Sequence, residues 1–176
     1  TATASTGVTT ATINSTGAAN KTDVILLDSA TGNTVTSLTV NATTALTSTL
    51  TATDFATTSA LTVTGAGAVD LGTAGSFKTI DASSASGGLT IAVATITTSA
   101  KGSTGNDVIT AAATTATTAG LIDGGAGSDT IIVTAALVDT AAEAAELINF
   151  ETMQFTGSVD MSLQSAGVTA VEINAI

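Results

Sequence analysis

The sequence contains no cysteine, histidine, proline, tryptophan or tyrosine. Without His or Cys it lacks the usual ligands of zinc, copper, haem and iron–sulfur centres, so any metal ion must be held by oxygen atoms. The same absence excludes a His-based catalytic triad and a thiol nucleophile. The sequence also has no G-x-S-x-G turn, H-E-x-x-H helix or phosphate-binding Gly-Lys loop. We therefore expect a protein that is not an enzyme.

Positive charge is nearly absent too. Three basic residues stand against fourteen acidic ones, and the formal net charge is −11. Nucleic acid and anionic membrane surfaces are poor partners for such a chain, because both bind cationic patches. No apolar run approaches the length of a membrane span, so we expect no membrane insertion. Divalent cations are the natural counterions, and with oxygen ligands alone calcium is favoured over magnesium, which tolerates irregular cages poorly.

Short segments in which apolar residues alternate with threonine predict half-buried β-strands. Leu38–Val40, Leu61–Val63 and Leu89–Ile91 form a weak repeat whose second spacing is longer than its first. Unequal spacings of this kind suit solenoid coils with variable loops, and the absence of proline agrees with unbroken strand ladders. The predicted fold is all-β, a right-handed parallel β-helix (β-solenoid).

The most specific motif is a glycine-rich nonapeptide. Gly124–Ile132 fits the pattern G-G-x-G-x-D-x-U-x of calcium-binding parallel β-helices, where U is a large apolar residue. A second copy at Gly102–Thr110 departs only at Ser103, which replaces the second glycine. The glycines let the backbone curl so that carbonyl oxygens turn inward, the aspartate adds an anionic oxygen, and the apolar residue enters the core.

The two copies start at Gly102 and Gly124, a separation wide enough for one coil of the solenoid. We therefore expect them to stack on one edge, with Ala111–Asp123 forming a bulge on the other side. One Ca²⁺ ion between the loops would use both carboxylates and several backbone carbonyls. Asp123 is either a further ligand or the cap of its turn. The alternative is that these are plain Gly-Asp turns without a metal. The predicted metal ligands are Asp107 and Asp129, carbonyls near Gly102, Thr104, Gly105, Gly124, Ala126 and Gly127, and Asp123.

Beyond the second copy the pattern changes. Ala135–Asn149 places apolar residues on one face at helical spacing and predicts a helix capped by Thr134. Strands are predicted at Met153–Phe155, Val159–Leu163 and Val168–Ile173. The chain is thus expected to be one continuous unit, with a Thr/Ala-rich solenoid at 1–100, calcium-binding turns at 101–134, and a short helix with closing strands at 135–176. Its patterned ends predict a segment of a longer protein.

The block from Gly102 to Ile132, with GSTGNDVIT and LIDGGAGSDTII, resembles RTX (repeats-in-toxin) proteins. Together with Ile80–Ser83, Gly87–Ile91 and Asn149–Met153 it is similar to bacterial surface-layer proteins that carry RTX repeats. The resemblance implies export from a Gram-negative cell by a type I system and calcium-triggered folding outside the cell. It also implies assembly with copies of itself into a surface layer or filament, with cell-surface polysaccharide as a further partner.

Two alternative functions fit the same sequence. The chain is either a segment of a calcium-dependent RTX adhesin or the non-catalytic RTX module of an exported enzyme. Ser103, the widened spacing and the small number of copies depart from the family pattern, and they argue against a long ladder of calcium ions.

Overall fold

A computed structural model describes residues 8–25, 34–72, 77–111, 121–134, 140–156 and 168–173. In these residues the chain is a parallel β-solenoid whose two walls are a seven-stranded and an eight-stranded sheet, as the strand pattern predicted. The first sheet holds β1 (Thr10–Ser15), β3 (Val35–Ala42), β5 (Phe55–Gly65), β7 (Thr79–Ala85), β9 (Ser99–Lys101), β11 (Ile122–Asp123) and β13 (Leu147–Ile148). The second holds β2 (Asn20–Ile25), β4 (Leu46–Leu50), β6 (Val69–Gly72), β8 (Leu89–Val93), β10 (Val108–Ala111), β12 (Thr130–Thr134), β14 (Thr152–Thr156) and β15 (Ala170–Ile173).

One of the two predicted repeat spacings corresponds to a coil. Leu38 pairs with Leu61 and Val40 with Val63, so the first spacing of the repeat is one turn of the solenoid. The second spacing is not, because Leu89–Ile91 lies in the opposite sheet and the next partner of Leu61 is Ile80. That prediction was wrong because both walls use the same alternation of apolar residues and threonine, so the motif alone does not tell the walls apart.

The two edges of the solenoid are built differently. At one edge, which we call the short-turn edge, each strand of the first sheet leads into the second sheet through three to six residues. Both nonapeptide loops lie here, between β9 and β10 and between β11 and β12. The connections at the opposite edge include a 3-10 turn at Ala52–Asp54 and helix α1 at Ala141–Ala144. Variation in coil length is concentrated at that opposite edge. Register shifts interrupt the pairing of β2 with β4, β3 with β5, β5 with β7 and β6 with β8, whereas the strands that follow the two nonapeptide loops pair without a shift.

Inward-pointing side chains fill the space between the sheets with aliphatic residues and phenylalanine. All four phenylalanines of the chain are at most 1 % exposed, and the rings of Phe55 and Phe77 pack with centroids 4.5 Å apart and planes tilted by 53°. Parallel strands bring equivalent residues of successive coils into contact, so small and branched side chains suffice to close the core. The sheets run without a break past residues 100 and 134.

The predicted helix over Ala135–Asn149 was wrong in its extent. Among the described residues helix covers only Ala141–Ala144, and residues 135–139 lie outside the description. Its cap is Thr140, whose hydroxyl accepts the Glu143 N–H at 3.3 Å while the Glu143 carboxylate accepts the Thr140 N–H at 3.0 Å. Thr134 ends β12 instead. Leu147 and Ile148 form β13 because they pair with β11, and this pairing overrides their helical spacing.

The strand predictions near the C-terminus have mixed outcomes. The strand at Met153–Phe155 is confirmed within β14, and the one at Val168–Ile173 is confirmed for Ala170–Ile173. The strand predicted at Val159–Leu163 lies outside the described residues. Within the part of the chain that the structure describes, no helix is long and apolar enough to cross a membrane.

Candidate metal centre

The two nonapeptide loops lie on consecutive coils of the short-turn edge, as their spacing predicted. We call Gly102–Asp107 the first loop and Gly124–Asp129 the second loop. The strands that follow them pair in register, and the Asp107 backbone N–H donates to Asp129 Oδ1 at 2.8 Å. The Thr130 N–H in turn donates to the Asp107 carbonyl at 2.8 Å. The motif aspartates of the two copies are therefore in direct contact.

Both aspartates occupy a column of the solenoid that otherwise points into the core. Leu46, Val69 and Leu89 pair in register along the second sheet and are buried. The next two members of this column are Asp107 and Asp129, each only 1 % exposed. Burying a carboxylate is costly unless its oxygens find hydrogen-bond donors or a cation. The partners of these two side chains therefore decide what the site does.

A carboxylate ladder ties successive coils together. The side chain of each acidic member of the column accepts the backbone N–H of its neighbour one coil earlier. Leu89 N donates to Asp107 Oδ1 at 2.5 Å, and Asp107 N to Asp129 Oδ1 as described. Asp129 N donates to Glu151 Oε2 at 2.7 Å. Hydrogen bonds of this kind are stronger where the accepting carboxylate is ionised.

Asp107 is satisfied within the protein. Besides Leu89 N, its carboxylate accepts the Ser103 N–H at 2.6 Å and the Ser103 hydroxyl at 2.8 Å. The same hydroxyl accepts the Gly105 N–H at 3.0 Å and is thereby fixed in place. The Asp107 carboxylate thus accepts three hydrogen bonds, and each of its two oxygens has at least one donor. Ser103, the residue that breaks the motif in the first copy, supplies two of them.

Asp129 lacks these donors. Its Oδ2 is buried and finds no hydrogen-bond partner among the described residues. The residue equivalent to Ser103 is Gly125, which has no hydroxyl and whose N–H donates to Asp123 Oδ1 at 3.0 Å. A buried, unpartnered carboxylate oxygen is the strongest local indication of a missing cation or proton. The two loops share a motif but differ in how their aspartates are satisfied.

The structure brings the other predicted ligands into the same two loops. Gly102 and Gly124 are buried beside the aspartates, and a Cβ on either would lie against the carboxylate of its own loop. Gly105 is half-buried, and Thr104, Ala126 and Gly127 lie on the exposed rim. Asp123 caps its turn, since it accepts both the Gly125 N–H and the Asn149 side-chain amide at 2.7 Å. Whether any of these residues binds a metal stays a prediction.

Two members of the site were missed by sequence reasoning. Ser103 was noted only as a departure from the motif, and Glu151 was given no role. The signal for Glu151 was its spacing, because it follows Asp129 by the same interval that separates Asp129 from Asp107. Equal intervals place three acids at one position of successive coils. No group of three acidic side chains within the described residues is close enough to hold a metal ion by itself, so a bound ion would also need backbone carbonyls.

The electrostatics of the column reflect this burial. Burial raises the pKa of Asp107 above its usual value, and the donors from Leu89 and Ser103 oppose the rise. Burial likewise raises the pKa of Asp129 to about 6, and the charges of Asp107, Glu151 and Asp123 add to the effect. Without a cation, Asp129 therefore loses its proton only as the pH rises through about 6.

We expect the stability of the cation-free protein to depend on pH through Asp129. Its folded pKa of about 6 lies above the usual 3.8, so the folded state takes up a proton more readily than the unfolded chain. The resulting stabilisation is fully present below about pH 4 and is lost as the pH rises through about 6. Urea unfolding of wild type and Asp129→Asn between about pH 5 and pH 7 measures it. Wild type should gain relative to the variant as the pH falls, and a difference that is constant with pH would contradict the assignment.

A scan of protein-family models, a search of curated proteins and a search of solved structures found no match to this chain, so the interpretation of the site depends on its own geometry.

Proposed function

We propose that this chain is a non-catalytic, structural β-solenoid that is stabilised by one Ca²⁺ ion at the short-turn edge. The observation that carries the proposal is the buried, unpartnered Oδ2 of Asp129 between two stacked glycine-rich loops. A bound Ca²⁺ ion would give this oxygen a partner and would compensate the negative charge of the buried carboxylate. Asp129 would hold it, together with backbone carbonyls of the two loops.

The available donor chemistry favours calcium over other ions. Around Asp129 the loops offer only oxygen atoms as metal ligands, since the chain has no His or Cys. Calcium accepts irregular sets of oxygen ligands at flexible distances, whereas magnesium demands near-ideal octahedral geometry. An ion at this place would bind the folded coils and not the unfolded chain. It would therefore couple the stacking of the two loops to the concentration of calcium.

We further propose that the protein works outside a Gram-negative cell, after type I export, as a self-assembling subunit of a surface layer or filament. Calcium is plentiful there, so the metal would complete the fold after export. The strands at the ends of the sheets support assembly. Within the described residues β1, β2, β13 and β15 each pair on one side only, and such edges can pair with strands of another copy. Cell-surface polysaccharide is the proposed partner for attachment.

Calcium is expected to raise the melting temperature of wild type, because ligand that binds only the folded state stabilises it. At a free concentration of about 100 times the Kd the gain in unfolding free energy is about 2.7 kcal/mol. Thermal melts followed by circular dichroism, in excess calcium and in chelator, measure this gain. Asp129→Asn should remove it, since the anionic ligand is lost.

The matched control is Asp81→Asn. Asp81 is an exposed carboxylate on β7 of the same solenoid, and Ser83 is its hydrogen-bond partner. This variant should keep the full calcium effect, and identical wild-type melts in calcium and chelator would rule out the calcium proposal.

Electron microscopy of the calcium-loaded sample separates the alternatives. Ordered sheets or filaments support the structural subunit, whereas monodisperse particles that bind a glycan or an appended catalytic domain support the adhesin or the exported-enzyme module.

A further inference from the structure

We propose that the two loops are not equivalent, and that the residues at positions 101 and 103 close the first loop to cations. The corresponding residues 123 and 125 keep the second loop open. This inference depends on the proposed calcium function and specifies its stoichiometry and selectivity. The pair of loops would bind one ion, on Asp129, and Asp107 would serve as an internally satisfied strut.

Ser103 takes the place of a cation at Asp107. Its N–H and hydroxyl both donate to the carboxylate, at 2.6 and 2.8 Å, and the Leu89 N–H adds a third donor. A cation approaching Asp107 would meet the positive ends of three dipoles. Those hydrogen bonds would have to break inside a buried site, and each donor left unpaired there is costly. The first loop is therefore closed from within.

The residue at position 101 or 123 decides which acceptor the backbone N–H two residues later finds. Lys101 and Asp123 are register partners on β9 and β11, two residues before Ser103 and Gly125 respectively. Asp123 accepts the Gly125 N–H at 3.0 Å and so draws this donor away from Asp129. Lys101 has no acceptor to offer, and the Ser103 N–H donates to Asp107 instead. Because the Asp123 carboxylate binds the Gly125 N–H, this N–H does not donate to Asp129, and Asp129 stays available to a cation.

The second loop cannot adopt the internal solution of the first. Gly125 has φ +99°, a conformation that L side chains rarely adopt, and a Cβ there would clash with the Ser103 carbonyl oxygen. A serine at 125 is therefore sterically excluded. Charge acts in the same direction, because Asp123 attracts a cation to the second loop and Lys101 repels one from the first. The Ser103 hydroxyl, the backbone conformation of Gly125 and the opposite charges at 101 and 123 thus separate two loops that share one motif.

The test transplants the second loop's residues into the first. Calcium binding to the whole chain is measured by isothermal titration calorimetry for wild type, Lys101→Asp/Ser103→Gly and Asp123→Asn. We expect one ion per wild-type chain and two per double variant. Asp123→Asn weakens the acceptor that holds the Gly125 N–H and should lower the affinity by about 10- to 100-fold, as is typical for partners that orient a metal ligand.

The outcomes separate this inference from the proposed function. Two ions on wild type, or one ion on both wild type and double variant, would overturn the inference and leave the calcium function standing. No ion on wild type would overturn both. Circular dichroism checks that the double variant is folded, and adding Asp107→Asn to it should return the count from two ions to one. The affinity change in Asp123→Asn provides a readout that does not depend on the folding of the double variant.

Discussion

Replacing Gly102 with alanine is expected to lower the free energy of unfolding by about 3 kcal/mol, the upper end of the range that is typical of forced overpacking in a closely fitted site. A Cβ at this position would overlap the Gly124 carbonyl oxygen of the next coil and Oδ2 of Asp107. The first of these atoms belongs to the backbone and cannot move without displacing the second loop. Gly102 does not have a positive φ, so the effect isolates close approach between coils from backbone strain.

Gly72→Ala is the matched control for this substitution. Gly72 ends β6 with φ +55°, and a Cβ there would meet no atom of the described residues within 4 Å. Its replacement should cost only the roughly 1–2 kcal/mol of a left-handed alanine. Urea denaturation of the two variants beside wild type measures both values. Equal losses would mean that the spacing between coils at Gly102 has room for a side chain.

The architecture followed from the sequence because its signals are local and repeated. Alternation of apolar residues with threonine fixes which side of each strand faces inward, and the nonapeptide fixes where the chain turns. Leu38 and Leu61 therefore aligned as expected. The same alternation misassigned Leu89, since it is common to both walls. The helical spacing of Leu147 and Ile148 also misled, because pairing with β11 is a tertiary effect that no local pattern contains.

The candidate site was predictable in its location and not in its chemistry. The motif placed Asp107 and Asp129 side by side, which the direct bond between them bears out. The difference between them depends on the hydrogen bonds that Ser103 donates and on the one that Asp123 accepts. Ser103 replaces the second glycine of the motif, and Asp123 lies outside the motif. Sequence patterns record what is shared between copies of a repeat, and here the distinguishing chemistry lies in what the copies do not share.

Replacing Asp107 with alanine should destabilise the cation-free protein far more than the same change at Asp129. In Asp107→Ala the Leu89 N–H, the Ser103 N–H and the Ser103 hydroxyl all lose their acceptor inside the protein. At about 1–3 kcal/mol for each buried donor left unpaired, the loss is about 3 kcal/mol or more. In Asp129→Ala the Asp107 N–H is the one donor of the described residues that loses its acceptor, and a buried carboxylate oxygen without a partner there is removed at the same time.

Adding calcium should change the relation between these two variants. In cation-free buffer the cost of Asp129→Ala is one donor, about 1–3 kcal/mol, partly offset by removal of the unpartnered carboxylate. In saturating calcium wild type gains the binding free energy and Asp129→Ala does not, so the cost of this variant should grow by about 2.7 kcal/mol at 100 times the Kd. The cost of Asp107→Ala should change much less, provided that the ion is held by the second loop.

Urea denaturation of both variants, each with calcium and with chelator, gives the four losses in unfolding free energy. If the two substitutions lower the free energy of unfolding equally in chelator, the three hydrogen bonds to Asp107 do not stabilise the stacked coils. The two aspartates would then be equivalent.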